Sequence, residues 1–294
     1  MLEENKQMVT DNASLDVLRN TDEEWKKYVR LYFRPRTPTQ NNNEGFRPEF
    51  YRENNAHCPV PVYFLFSSKK LLSRKNVYFS KKGLATYGSK VYSDFKRFKE
   101  LPFELIYHDC WFNPDERDTI IQHRHAEVVV PWELDLRDLR FIWCRSEAEY
   151  RTLLNLLSNA TREKWKNDIG GGKKGNLFFR NWFFVEKCTC SAKSITFKFN
   201  PPSTKCTETV HLRVEIKERS TQKVYWWENK RFNISEDKLN LDLSKLFHLI
   251  MKFDYVLITK LCFLINLIIM NFCFLFKHIK SKSCRSIYTL VIGC

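Results

Sequence analysis

The chain has 294 residues, 43% of them hydrophobic, enough to bury one large core or two small ones and too many for a disordered protein. Its opening 26 residues hold no basic start followed by an apolar run, which excludes a secretory signal there and predicts a cytosolic protein. Ten cysteines without CxxC spacing frame neither a zinc site nor a secreted disulfide scaffold, and read as reduced, mostly structural thiols. The formal charge of +15 is uneven: residues 1–169 carry 28 basic and 25 acidic side chains, residues 170–294 carry 21 and 9. From Lys69 to Lys99 ten basic residues, including Lys70 and Arg74, are opposed only by Asp94. Such a run can neutralise phosphates, or simply serve solubility.

In chain order, Thr21 or Asp22 is placed to cap a short helical turn through Trp25 and Tyr28. Tyr28 to Phe33 is rich in strand formers and is stopped by Arg34-Pro35-Arg36-Thr37-Pro38, since proline cannot donate to a central ladder. Asn41 to Gly45 reads as an exposed loop. Val60 to Phe66, Val77 to Phe79, Phe103 to Tyr107, Ala126 to Val130 and Leu139 to Trp143 read as strands. Ser146 and Glu149 have capping-box spacing and open a helix whose apolar stripe runs through Tyr150, Leu153, Leu154, Leu157, Ala160 and Trp165.

Four glycines between Gly170 and Gly175 predict a linker over residues 170–175. Beyond it Phe178 to Phe184, Ile195 to Phe199 and Val210 to Ile216 have strand character, the last two with period two, which predicts a small antiparallel sandwich over residues 176–245. Residues 246–294 form an atypical hydrophobic and basic tail. Leu261 to Phe276 is too short for the roughly 20 apolar residues of a spanning helix, and its basic C-terminal flank would orient the chain wrongly. A displaced C-terminus is preferred to a membrane anchor.

Glu127 opens the apolar run of its strand, where an ionised carboxylate is costly without a task or a partner. It fits two roles, a stabiliser of developing positive charge or an edge-strand partner of Arg124. The stretch Tyr32-Phe33-Arg34-Pro35-Arg36-Thr37-Pro38, together with Arg124-His125-Ala126-Glu127-Val128-Val129-Val130-Pro131-Trp132, closely resembles the DarT family of DNA ADP-ribosyltransferase toxins, from about Val29 to Ile169. The resemblance implies an α+β fold with a split β core over residues 1–169, and transfer of ADP-ribose from NAD, without a metal, to a base in single-stranded DNA.

It further implies that Glu127 is the catalytic carboxylate and that Arg36 contacts NAD and supports catalysis. Ser80 and Tyr78 would lie near the cofactor, and the segment Tyr107 to Gln122, with Trp111 and Phe112, would recognise the substrate. Arg124, Lys69, Lys70 and Arg74 would meet the DNA. In that segment Trp111 can stack on a base or plug the loop from beneath. A toxin or phage-defence role with a macrodomain antitoxin partner follows from the family. Members usually open on a histidine-bearing, NAD-binding strand, whereas the first histidine here is His57. The chain therefore reads as shortened at its N-terminus, and the alternative function is an inactive, basic nucleic-acid-binding remnant. His123 and His125, with no cysteine at ligand spacing, read as one core and one surface residue rather than a zinc pair.

Overall fold

The computed structural model describes residues 19–45, 58, 60–191, 193–203, 209–217 and 224–244, and the backbone of the strands at 257–261 and 289–292. The apolar run Leu261 to Phe276 lies outside the described residues beyond the end of the first of these strands. Among the described residues no helix is long and apolar enough to cross a membrane.

The first unit is built on an eight-stranded mixed sheet ordered β4-β3-β5-β1-β14-β2-β6-β7. Its strands are β1 (Tyr28–Tyr32), β2 (Val62–Ser67), β3 (Tyr78–Ser80), β4 (Val91–Tyr92), β5 (Glu127–Pro131), β6 (Leu139–Cys144), β7 (Ile169–Gly171) and, by backbone pairing parallel to both β1 and β2, β14 (Thr289–Ile292). Period-two alternation decides what each face carries. Leu31 and Phe79 both pair with Val128 across β5, and with Val29 and Val130 they enter the main hydrophobic core. Their neighbours in sequence, Arg30, Tyr32, Ser80 and Glu127, therefore share the opposite face.

Several local expectations change. Asn41 to Gly45 is not an exposed loop: α1 (Pro38–Asn43) forms because the Thr37 hydroxyl accepts from the Gln40 amide and Pro38 sits in the first turn, and both Asn43 and Glu44 are buried. Phe103 to Tyr107 is not a strand. Pro102, unable to extend a ladder, opens α4 (Phe103–Ile106), and its carbonyl accepts from Leu105 and Ile106. The turn at Trp25–Lys27 is a 3-10 helix with no side-chain cap; Thr21 is instead buried and meets Arg30. Further helices of this unit are α2 (Ser68–Leu72), α3 (Phe95–Lys99), α5 (Arg117–Arg124), α6 (Glu147–Leu156) and α7 (Asn159–Trp165). The single helix predicted from Ser146 onward thus divides after Leu157, because the Ser158 side chain caps α7 by accepting from the Thr161 amide.

The first two glycines of the 170–175 segment belong to a strand, and Lys174–Asn176 forms a 3-10 turn. Ile169–Gly171 pairs with β6, and a Cβ on Gly171 would stand 2.7 Å from the Ser146 carbonyl oxygen. Phe178 to Phe183 is irregular, not a strand, because the amides of Phe179 and Arg180 turn to the Glu44 carboxylate, both at 2.8 Å. Beyond it two three-stranded antiparallel sheets, β12-β9-β8 and β11-β10-β13, enclose one core that includes Phe197, Phe199, Leu212 and Val214. These strands are β8 (Phe184–Cys190), β9 (Ser194–Asn200), β10 (Thr209–Lys217), β11 (Val224–Asn233), β12 (Lys238–Asp242) and β13 (Leu257–Leu261). Helices and antiparallel sheets together make the α+β class.

Candidate active site

Glu127 lies on an interior strand, β5 between β1 and β3, and is 1% exposed. Tyr32 stands opposite it in register, and Arg30, two residues back on the same face of β1, reaches diagonally to it. Arg30 Nε donates to Glu127 Oε2 at 2.5 Å and Nη2 to Oε1 at 2.6 Å. The Leu84 amide donates to Oε1 at 3.2 Å. Ser80 Oγ accepts from the Glu127 amide at 3.2 Å and donates to the Lys82 carbonyl at 2.6 Å, which fixes the start of the loop that passes over the carboxylate. A Cβ on Gly83 would lie 3.0 Å from the His125 Cβ, so glycine lets that loop approach closely.

The Arg124 partner considered for Glu127 is thereby replaced by Arg30. Arg124 ends α5 and turns toward the segment before that helix: its Nε donates to the His108 carbonyl at 2.9 Å, and its guanidinium lies 5.2 Å from the Phe112 ring centre. Two further arginines meet in the same region. Buried Arg34 donates through Nη1 to the carbonyls of Ile106 and His108 and through Nη2 to Asp109 at 3.1 Å. Arg36 also donates to Asp109. Burial, and then the charge of Arg124, lowers the Arg34 pKa; burial lowers that of Arg124 as well.

Arg36 has a positive φ of 55°, held by donation from its amide to Gln40 Oε1 at 2.7 Å. With the Asn176 amide turned so that its oxygen faces Arg36, that oxygen accepts from Nη1 and Nη2 at 3.2 and 3.1 Å. Arg36 Nε is buried with no hydrogen-bond partner among the described residues. An unpaired buried donor is costly, and three guanidinium groups around one carboxylate leave a surplus of positive charge.

His125 stands two positions before Glu127 in sequence, with Nδ1 2.9 Å from the Ile121 carbonyl and Nε2 3.1 Å from Thr39 Oγ1. Burial lowers its pKa, which favours the neutral ring. His123 meets the Lys81 carbonyl through Nδ1 at 2.8 Å. Among the described residues no group of three or more His, Cys, Asp or Glu side chains is arranged to hold a metal.

Trp111 is 80% exposed, so it does not plug the loop, whereas Phe112 packs between Arg124 and His108. Tyr78 shares the face of Ser80 but packs on Trp25 and Tyr28. Lys69 and Lys70 are exposed on α2, which follows β2, and β1 and β14 separate that strand from β5. Arg74 is engaged by Asp135 and Asp138. Arg30, Arg34 and Asp109 were not singled out by the sequence. The alternation Tyr28, Arg30, Tyr32 against Glu127, Val129, Pro131 carries the signal for Arg30, but only once β1 and β5 are known to pair.

The family model described as ssDNA thymidine ADP-ribosyltransferase, DarT, matches residues 4–179, more than half of the chain. The chain belongs to the DarT family, whose activity is NAD-dependent ADP-ribosylation of single-stranded DNA. Similar solved structures include Thermus sp. 2.9 DarT in complex with ADP-ribosylated ssDNA (12% identity, 58% of this chain and 81% of that chain covered, TM-score 0.43). The same protein in complex with carba-NAD+ gives 15% identity, 52% and 74% coverage, and a TM-score of 0.38. Thermosipho africanus DarTG in complex with ADP-ribose gives 13%, 64% and 46%, and 0.42. No match was found among curated proteins.

Proposed function

We propose that this chain modifies a thymidine base with Glu127 as the charge-stabilising carboxylate and Arg36 as a ligand of the NAD diphosphate. The observation that supports the first assignment is a carboxylate 1% exposed on the polar face of the sheet, held by a two-pronged guanidinium and a backbone amide. The second rests on the unpartnered Arg36 Nε and on the surplus charge around Asp109, a donor set that fits a diphosphate. NAD supplies the ribosyl–nicotinamide bond that is broken in the reaction.

Glu127 opposes the positive charge that develops on the ribose as neutral nicotinamide leaves. Arg30 orients it and offsets the cost of keeping an ionised group buried. Ser80 fixes the backbone under the carboxylate. Trp111, free in water on the loop before α5, is available to stack on the acceptor base, and Phe112 and Arg124 brace that loop. The inactive-remnant alternative is not favoured, because the family model matches residues 4–179 and this stretch keeps both Arg36 and Glu127. We place the activity in the cytosol, in a toxin–antitoxin or phage-defence setting, with a macrodomain antitoxin as partner.

The test is ADP-ribose incorporation into a single-stranded oligonucleotide. Glu127→Gln should lower transfer by about 10²–10³ and change NAD affinity little, since an interaction made in the transition state affects turnover more than binding. Transfer by Glu127→Gln at the unmutated rate would remove the carboxylate assignment.

A further inference from the structure

The outer edge of the core sheet, from Lys81 to Lys99, combines two features that the reaction at Glu127 does not use. The first is aromatic rings held in water. Tyr87, at the tip of the loop between β3 and β4, is 103% exposed, and Phe95, at the start of α3, is 69% exposed. The loop is nevertheless ordered by its own bonds: the Thr86 amide donates to the Gly83 carbonyl at 2.9 Å, the Ser89 amide to the Thr86 carbonyl at 3.0 Å, and the Gly83 amide to the Gln122 carbonyl at 3.3 Å. A loop built this way presents Tyr87 rather than leaving it loose.

The second feature is unbalanced positive charge. Glu100 takes Lys81 and Arg97, and the Asp94 carboxylate caps α3 through the Arg97 amide. Lys90 and Lys96 are exposed and make no ion pair among the described residues, while Lys99 Nζ lies 4.6 Å from the Phe95 ring centre. The root of this surface touches the reacting carboxylate, because Leu84 donates to Glu127. Tyr87 is three residues further on, within about 11 Å of fully extended backbone. A partner that satisfies both features must be polyanionic and must offer free aromatic faces. A single strand of nucleic acid does so, whereas a duplex keeps its bases stacked and a peptide of acidic residues alone offers no aromatic face.

We propose that this edge carries the DNA strand flanking the acceptor base, with Tyr87 and Phe95 each stacking on an unpaired base and Lys90, Lys96 and Lys99 meeting phosphates. It rests on the reading of Glu127 as the catalytic carboxylate, which sets the surface beside the site. The α2 lysines, Lys69 and Lys70, are then peripheral to the bound strand.

The experiment is fluorescence anisotropy of the full chain with a labelled thymidine-containing 12-mer, at 50 and 200 mM salt, alongside transfer to the same oligonucleotide. Loss of one stacking ring should weaken binding by roughly 5- to 150-fold, so Tyr87→Ala/Phe95→Ala should fall further than either single change. Lys90→Gln/Lys96→Gln should lower the slope of log affinity against log salt by about 1.4, from roughly 0.7 per phosphate contact on a single strand. Lys238→Glu, on the sandwich, should leave both unchanged, and Glu127→Gln should bind DNA like the unmutated chain while modifying it about 10²–10³ more slowly. Circular dichroism checks that the surface variants are folded.

The proposal is overturned if Tyr87→Ala/Phe95→Ala binds within twofold of the unmutated chain. It is equally overturned if a duplex or a polyglutamate peptide binds as tightly as the single strand, or if Lys69→Glu/Lys70→Glu abolishes binding that Lys90→Gln/Lys96→Gln leaves intact. Those outcomes spare the role of Glu127. Full-rate transfer by Glu127→Gln sinks that role instead, whatever the edge does.

Discussion

Arg30 and Glu127, 97 positions apart in the chain, are joined by two N–H···O bonds on the polar face of the core sheet. Antiparallel pairing of β1 and β5 creates this contact, since it puts both residues on one face at a diagonal. Removing a carboxylate from water costs several kcal/mol unless a cation and further donors replace the lost hydration. Here the guanidinium fork and the Leu84 amide supply them. The pair therefore orients the Glu127 carboxylate and also permits its burial.

Arg30→Ala should destabilise the fold by about 3 kcal/mol, the lower end for stranding a buried charge, because Arg30 is itself partly exposed. Glu127→Gln in the same background removes the stranded charge, so the double variant should recover part of the loss. Urea unfolding measures both. If the double variant is no more stable than Arg30→Ala, the pair is not what compensates Glu127.

Arg36→Ala should weaken NAD binding and turnover together, by about 10- to 100-fold, if its guanidinium makes a charge-assisted bond to the diphosphate. Arg36→Lys should recover little, because a point charge cannot reproduce the planar fork. Calorimetric titration with NAD reads the affinity directly. An unchanged dissociation constant in Arg36→Ala would separate this residue from the cofactor.

The strands that build the sheet are legible where their residues alternate or run apolar: β1, β2, β3, β5 and β6 stand within a residue or two of where side-chain pattern places them. Glu127 is legible for the same reason, as a charge at the head of an apolar run. What escapes depends on distant partners or on single caps. Asn41 to Asn43 look like a loop by composition, yet the Thr37 cap and the demand of the Phe179 and Arg180 amides for Glu44 make them helical and bring Glu44 inside. Ser146 and Glu149 have capping-box spacing, and the Ser146 half forms, but the Glu149 side chain is drawn to Arg145. Arg30 acquires a role only through strand register, which no local window contains.

The segment Gly170 to Gly175 should resist proteolysis at its first residues, contrary to what its composition suggests. Gly170 and Gly171 pair with β6, and a Cβ there would stand 2.4 Å from the Trp143 ring and 2.7 Å from the Ser146 carbonyl oxygen respectively. Gly171→Ala must move backbone and should cost about 1–3 kcal/mol, the usual range for overpacking. Thermal unfolding with limited proteolysis checks this. Early cleavage at Gly170–Gly171, with an unshifted midpoint in Gly171→Ala, would show that the segment is an open linker.

Glu149 gives the last prediction, in the opposite sense from most buried ion pairs. It lies at the junction with the second unit, where Arg145 Nε donates to its Oε1 at 3.2 Å and where its Oε2 is buried without a hydrogen-bond partner among the described residues. Arg145 is also 3.9 Å from Glu44 and packs 3.8 Å over the Phe184 ring centre, so it does not depend on Glu149 alone. Burial raises the Glu149 pKa more than the Arg145 charge lowers it. The folded state therefore holds this proton more tightly than the unfolded chain does. That contribution to stability is fully present below the unfolded value of about 4.3 and is lost as pH rises through the higher folded value. Glu149→Gln removes the titration while keeping the size of the side chain. Its stability relative to the unmutated chain should improve steadily from pH 4 toward pH 7.5, as read from urea midpoints across that range. If the variant instead loses ground as pH rises, attraction to Arg145 outweighs desolvation and the carboxyl is ionised at a net gain.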